Sequence, residues 1–482
     1  MINTKLILRI IGVLLLIESA MLLCSTAVSF FYQEDDLNSF LLTTGLTAAC
    51  GAILTLLSKG AEKYLGRRDG YFIVSISWII VSLFGMIPFY HSGYIPTITD
   101  AFFETISGVS STGSTILDNI EEFPHGLLFW RSMTQWIGGL GIIFFTIAVL
   151  PLFGVSSIQL FAAESSGPTH DKVHPRISVT AKWIWSIYAG MTIIETFLLC
   201  AGGMTFFDSI CHAFGTTGTG GFSTKQTSIA FYNSPYIEYV ISFFMILSGV
   251  NFTILLLFVT GKFQKVIKNS ELKYYLGSVL VLTLVITVGL YYTSNYGLEE
   301  AFRKAIFQIG SIHTSTGFAT DNYMNWNPFL WGILFIPMII GACAGSTSGG
   351  FKCIRIVILS KITKNEFKRI IHPNVVLRVK VNNQILPNTV QSTVLAFSFI
   401  FIIIVLFSTL SLMAMGVEFL ESFGVVISSI SNMGPGFGKF GPDFSWSALP
   451  QTAKWISSFL MLCGRLELFT ILLLFTPSFW RG

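Results

Sequence analysis

The chain has 482 residues, of which 52% are hydrophobic, 15% aromatic and only 11% charged, with a mean hydropathy of +0.69. Soluble domains carry about 25% charged residues, so this chain has too little polar surface to cover a water-soluble body of its size, and a bilayer must be the solvent for most of it. The net charge of +4 is modest and the basic residues are scattered between apolar runs, which argues against a nucleic-acid binder.

The first apolar stretch, 6–31, is too long for the core of a cleavable signal and lacks a small-residue cleavage site, so it reads as a retained helix. A crossing needs about 20 apolar residues. Ten stretches meet that: 6–31, 38–58, 71–91, 129–152, 183–204, 236–260, 274–294, 329–359, 389–415 and 452–476. Four shorter apolar stretches lie between them, near 100–110, 208–217, 300–312 and 419–430, and have re-entrant length. With the N-terminus inside, 22 of the 29 Lys and Arg residues fall on the cytoplasmic side, so the positive-inside rule predicts cytoplasmic N- and C-termini. The cysteines, Cys24, Cys50, Cys200, Cys211, Cys343, Cys353 and Cys463, form no CxxC pair and read as small packing residues.

After the first two spans the chain repeats one unit: span, short apolar stretch, Gly-rich loop, span. The loops read SSTGSTI (110–116), TTGTGGFST (216–224), HTSTGFAT (313–320) and NMGPGFG (432–438). Taking Gly113, Gly220, Gly317 and Gly434 as equivalent gives separations of 107, 97 and 117 residues, a near-regular period. The predicted divisions are 1–66 for the N-terminal helix pair, then units at 67–160, 161–262, 263–372 and 373–482. Acids precede each short stretch: Asp100 and Glu104, Asp208, Glu299 and Glu300, Glu418 and Glu421. Acids favour helix N-termini, so each stretch reads as a half-helix whose partly negative C-terminal end points into the membrane. Non-helical backbone at that depth must be buried or line a water-filled cavity, and rings of carbonyls replace the hydration shell of a cation in a filter. The predicted filter residues are Ser111, Thr112 and Gly113; Gly218, Thr219 and Gly220; Ser315, Thr316 and Gly317; Asn432, Met433 and Gly434. The fold expected is an all-α polytopic membrane protein with ten spans and four re-entrant half-helices around a pore.

The third unit's closing span is broken by ten residues, 341–350, rich in Gly and Ser and poor in helix propensity. Within it Gly345, Ser346, Thr347, Ser348, Gly349 and Gly350 are expected to line the pore as a gate. Arg465 lies 31 residues after Gly434, and the same offset gives Ser348 in the third unit and Asn251 in the second, so these residues are expected at one depth below the filter. An arginine within a span is costly and reads as functional, here as an electrostatic barrier and an anchor for the loop, with Glu467 or carbonyls as an alternative structural partner. Lys352 and Arg355 end the broken span and are expected at the inner surface, as interface anchors or partner contacts. The basic stretch 361–380 reads as a cytoplasmic loop. Glu18 and Glu195 also fall in spans and receive no role.

No HExxH and no Walker motif is present. His170 and His174 have helical spacing but sit in a cytoplasmic, Pro-containing loop, which speaks against a metal site. A polytopic enzyme and an alternating-access carrier are the competing readings; the recurrence of equivalent loops on one side favours a pore.

These loops, together with RRDGYFIVSISW (67–78), QWIGGLGII (135–143), GACAGSTSGGFKCIRI (341–356) and GRLELFT (464–470), resemble the Trk/Ktr/HKT potassium transporter superfamily, specifically its bacterial TrkH/TrkG-type membrane subunits, over essentially the whole chain. The resemblance implies potassium uptake across the bacterial inner membrane, a homodimer, and a cytoplasmic nucleotide-binding, TrkA-like subunit that regulates opening. It also implies a gating loop and a pore arginine. Glycine at position 113 goes with potassium in this superfamily, where serine goes with sodium. The fourth loop departs from the Thr-Gly pattern at Asn432-Met433-Gly434. A sodium-permeable or sodium/proton-coupled cation carrier is the alternative within it.

Overall fold

The computed structural model describes residues 3–61, 66–141, 177–382 and 384–481. The chain opens with an antiparallel helix pair, α1 (Thr4–Tyr32) and α2 (Leu37–Leu57). They pack through Gly12 and Gly51: a Cβ on either would come within 2.9 Å of the other's carbonyl oxygen, so only glycine permits this approach.

Four stretches of helix, short helix, loop and second helix follow. The first comprises α3 (Arg67–Gly85), α4 (Ile98–Val109) and α5 (His125–Gly139). The second comprises α6 (Ile177–Ala201), α7 (Phe206–Thr217) and the bent pair α8 (Pro235–Ser248) and α9 (Phe252–Val259). The third comprises α10 (Ser270–Thr293), α11 (Leu298–His313), α12 (Pro328–Ile340) and, beyond a non-helical stretch, α13 (Cys353–Ile371). The fourth comprises α14 (Asn388–Ala414), α15 (Phe419–Ser431), α16 (Gln451–Arg465) and α17 (Leu468–Leu472). A two-residue antiparallel hairpin pairs Lys380 with Ile385 and Val381 with Gln384.

Among the described residues, six helices are long and apolar enough to cross a membrane, and two bent pairs bring the number to eight. The chain is a multi-pass membrane protein. The expected spans 236–260 and 452–476 are not straight helices but pairs bent by 103° and 115°. The expected span 329–359 is interrupted between Ile340 and Cys353. The expected span 129–152 begins inside α5 and its second half lies outside the described residues, as do His170 and His174.

The four short helices begin where local chemistry dictates. Thr97 caps α4 by accepting from the Asp100 amide at 3.1 Å, and Thr205 caps α7 by accepting from the Asp208 amide at 3.0 Å. Glu299 and Glu300 occupy the first turn of α11 and Glu421 that of α15. Cations from neighbouring elements then tie these ends together. Lys454 of α16 reaches Asp100 at 2.7 Å, Arg303 of α11 reaches Glu238 of α8 at 2.7 Å, and Arg131 of α5 meets Glu104 of α4 at 2.6 Å. The Glu104 and Arg131 side chains are 0% and 3% exposed. Arg131 also donates to Ser223 O at 2.8 Å and stacks on Phe222 at 3.6 Å, joining the first stretch to the second.

A buried pair broken on one side leaves an uncompensated charge, which costs about 3–5 kcal/mol. Arg131→Met is expected to lower the thermal unfolding midpoint in detergent markedly, and Arg131→Met combined with Glu104→Leu to recover only part of the loss, because Glu104 also accepts from the Ile116 amide at 2.9 Å.

Candidate functional site

The four Gly-rich loops meet. Each short helix ends in a residue of positive φ, followed two positions later by a glycine of positive φ: Ser111 (55°) and Gly113 (84°), Thr219 (52°) and Gly221 (74°), Ser315 (56°) and Gly317 (88°), Asn432 (52°) and Gly434 (98°). The contacts between loops close on themselves. A Cβ built on Gly113 would overlap the carbonyl oxygen of Gly220, one on Gly221 that of Thr316, and one on Gly317 that of Met433. One on Gly434 would come within 2.9 Å of the carbonyl oxygen of Thr112. Each glycine therefore packs on the carbonyl of the residue preceding the next loop's glycine, and four such steps return to the start.

This cycle sets the equivalence of the loops and shifts one of the sequence assignments. The second loop aligns as Thr219-Gly220-Gly221, one residue later than Gly218-Thr219-Gly220. Gly218 is the C-cap of α7, with φ −72°, and stands outside the ring. The missed residue is Gly221. The signal for it was present: Gly221-Phe222 matches Gly317-Phe318, whereas Gly220 is followed by a second glycine.

Side chains hold the ring in place. In three loops a serine of the short helix donates across the turn: Ser107 to Ser114 O at 2.6 Å, Ser311 to Phe318 O at 2.6 Å and Ser428 to Gly434 O at 2.7 Å. The second helix has Gly215 at this place, and Gln135 of α5 fills the space. Its amide donates to Gly220 O at 2.7 Å and accepts from the Phe222 amide at 3.0 Å. Asn432 donates to Thr112 Oγ1 at 3.0 Å and Ser114 donates to Gly434 O at 2.9 Å, linking the fourth loop to the first. A cavity of about 60 Å³ is lined by all four ring glycines, with Arg131 and Lys225 in its wall.

The stretch 341–352 lies against this ring. The Ser315 and Ser348 hydroxyls are 3.0 Å apart, and the Gly349 amide donates to Ser315 Oγ at 2.7 Å. A Cβ on Gly349 would overlap Ser431 O. Gly341, Gly345, Gly350 and Lys352 all have positive φ, so the backbone here cannot continue the helix on either side. Thr347 O accepts from Arg465 Nη1, and the other guanidinium nitrogen donates to Gly138 O and Gly139 O at the end of α5. Arg465 thus does not sit within a straight span; it ends α16 at the 115° bend and bridges the third stretch to the first. Asn251, at the bend between α8 and α9, donates to Ala344 O at 2.6 Å. Ser346 donates to Cys343 O at 2.6 Å within the loop.

Lys352 and Arg355 differ from the sequence expectation. Both are 4% exposed, not at a surface. Lys352 donates to Ser348 O, and Arg355 pairs with Glu467 at 2.6 Å while stacking on Phe397 at 3.9 Å. The reason is that the break shortens α12 to 13 residues, so α13 restarts inside the protein rather than beyond it. Glu18 and Glu195 are buried, at 4% and 0% exposed.

A ring glycine combines a positive φ with a neighbour too close for a methyl group, and left-handed strain alone costs about 1–3 kcal/mol. Gly221→Ala is expected to lower the thermal unfolding midpoint measured in detergent. Gly190→Ala in α6, where nothing lies within 4 Å of the added Cβ, is expected to leave it unchanged.

A family model described as a cation transport protein, TrkH, matches residues 37–290 and 274–481. The Trk system potassium uptake protein TrkH of Salmonella typhimurium is 38% identical over 477 residues, 98% of each chain. The Trk system potassium uptake protein TrkG of Escherichia coli is 33% identical over 483 residues, 100% of this chain and 99% of that one. The crystal structure of the potassium transporter TrkH from Vibrio parahaemolyticus superposes with a TM-score of 0.89 at 34% identity, covering 100% of both chains. With ring, break and bends in the same chain as this full-length similarity, the protein belongs to the TrkH family of cation transport proteins.

Proposed function

We propose that this protein takes up potassium through a pore on the axis of the four loops, with backbone carbonyls as the selectivity filter. The observation that carries this reading is the closed cycle of Gly113, Gly221, Gly317 and Gly434 on the carbonyls of Gly220, Thr316, Met433 and Thr112. Carbonyls so gathered replace a cation's hydration shell. The C-terminal ends of α4, α7, α11 and α15, each bearing about half a negative charge, add to the field. The filter residues are then Ser111, Thr112 and Gly113; Thr219, Gly220 and Gly221; Ser315, Thr316 and Gly317; Asn432, Met433 and Gly434. The repeating units are 67–160, 161–262, 263–372 and 373–482, preceded by the helix pair 1–66.

The stretch 341–350 is the gate. It lies beside Ser315 and Ser431 of the ring, where it obstructs passage, and Arg465 fixes it there while placing a positive charge in the path of the ion. Uptake needs no hydrolysis by this chain: an interior-negative potential contributes about 2.3 kcal/mol per charge per 100 mV. The similarity to proteins of a Trk system supports a partner in that system, for which a cytoplasmic nucleotide-binding, TrkA-like subunit is our candidate. A homodimer in the cytoplasmic membrane is part of the same proposal, with both termini inside as the distribution of Lys and Arg favours. The lack of a Walker motif in this chain fits control by a separate subunit.

Flux of potassium, rubidium and sodium into liposomes carrying the purified protein tests the reading. Potassium and rubidium are expected to exceed sodium by about tenfold or more, a discrimination of about 1.4 kcal/mol, and Gly113→Ser to narrow that gap. Equal sodium and potassium flux in the parent removes the potassium assignment. Arg465→Ala is expected to raise flux without a partner; unchanged or lower flux removes its barrier role.

A further inference from the structure

The bend in the second stretch is joined to the break in the third. Between α8 and α9 the chain turns by 103°, and the backbone groups freed there face residues 343–347. The Cys343 amide donates to Gly249 O at 3.1 Å and the Phe252 amide donates to Gly345 O at 3.0 Å. The Thr347 hydroxyl donates to Ser248 O at 3.4 Å. Two side chains complete the contact from different elements. Asn251 Nδ2 donates to Ala344 O at 2.6 Å, while Glu271, in the first turn of α10, accepts from the Ala344 amide at 2.6 Å. Both backbone groups of Ala344 are therefore held by side chains outside its own segment. The Asn251 side-chain oxygen, Oδ1, is itself engaged, accepting from the Thr253 amide at 2.7 Å as the N-cap of α9. Gly345, with φ 74°, leaves room for the asparagine: a Cβ there would stand 2.9 Å from Asn251 Nδ2.

Peptide groups at membrane depth must keep a partner. Residues 343–345 cannot swing away unless Ala344 exchanges both of its partners and the bend at 249–252 gives up its own. We infer that Asn251 and Glu271 are positioning residues that form a two-sided latch on Ala344, so that the second and third units must move together when the break opens. The inference rests on the reading of 341–350 as the gate, and it adds a second unit to the moving part.

Cys343, 0% exposed and adjacent to Ala344, reports on the latch without reference to ion flow. Its labelling by a water-soluble methanethiosulfonate, located by mass spectrometry in the full-length protein, measures how often the segment opens. Asn251→Asp keeps the oxygen that caps α9 and removes the donor to Ala344 O. Glu271→Leu removes the acceptor for the Ala344 amide, and Glu271→Gln retains one. Loss of one buried hydrogen bond shifts a two-state equilibrium by about tenfold, so Cys343 is expected to label about tenfold faster in Asn251→Asp and in Glu271→Leu than in the parent. Glu271→Gln is expected to restore the parent rate. Parent-rate labelling in both disruptive variants overturns the latch. If Asn251→Asp fails to fold, the Glu271 pair decides alone, and equal labelling in Gln and Leu overturns the latch. Ion flux on the same samples separates the two readings: faster Cys343 labelling with unchanged flux leaves the latch standing and removes the gating role of 341–350.

Discussion

A peptide group in hydrocarbon has no water to fall back on. Helices answer this internally, but this protein interrupts helices repeatedly at depth, and every interruption has to find its partner in another one. The ring of loops is held by Gln135, Ser114 and Asn432 reaching between units. Below it, the bend at 249–252 pairs with the break at 343–345, and Arg465, at the fourth unit's bend, takes carbonyls from both the third unit and the end of α5. Among the described residues, each of these interruptions takes at least one hydrogen bond from another unit. The same arrangement that makes irregular backbone tolerable also gathers it in one ring, the feature on which the proposed function rests.

The charged residues serve that arrangement in two layers. Near the starts of the short helices, Lys454 with Asp100 and Arg303 with Glu238 clamp neighbouring units together, and Arg131, paired with Glu104 in its own unit, reaches Ser223 O of the next. Around the break, Arg465 and Lys352 donate to backbone carbonyls of residues 347 and 348, and Arg355 pairs with Glu467. The first layer consists of matched pairs that bridge elements; the second directs positive charge at a stretch of bare carbonyls. In the function proposed above, the ring offers oxygen to a cation and the charges around the break oppose its passage.

Several site features were legible because they depend on neighbours in the chain. The capping threonines Thr97 and Thr205, the acids that start each short helix and the glycine-rich turns all follow local rules, and they point to the loops that meet in the structure. The register of the second loop was not legible from the Thr-Gly pair alone: the following Phe222 favours Gly221, and the contact with Thr316 O decides it. Hydropathy likewise treats 236–260 and 452–476 as continuous runs, since apolar residues flank each bend on both sides. Lys352 and Arg355 looked like interface residues because they follow an apolar stretch, yet Ser348, Glu467 and Phe397 take them inside.

By itself the sequence determined that this is a helical membrane protein with four related loops and a broken helix, because hydropathy, period and helix propensity are sums over adjacent residues. Which glycine completes the ring, where the spans bend, and which side chains hold the break were decided only in the tertiary structure. Those outcomes depend on carbonyls and side chains about a hundred or more residues apart meeting in a medium that offers exposed backbone no water.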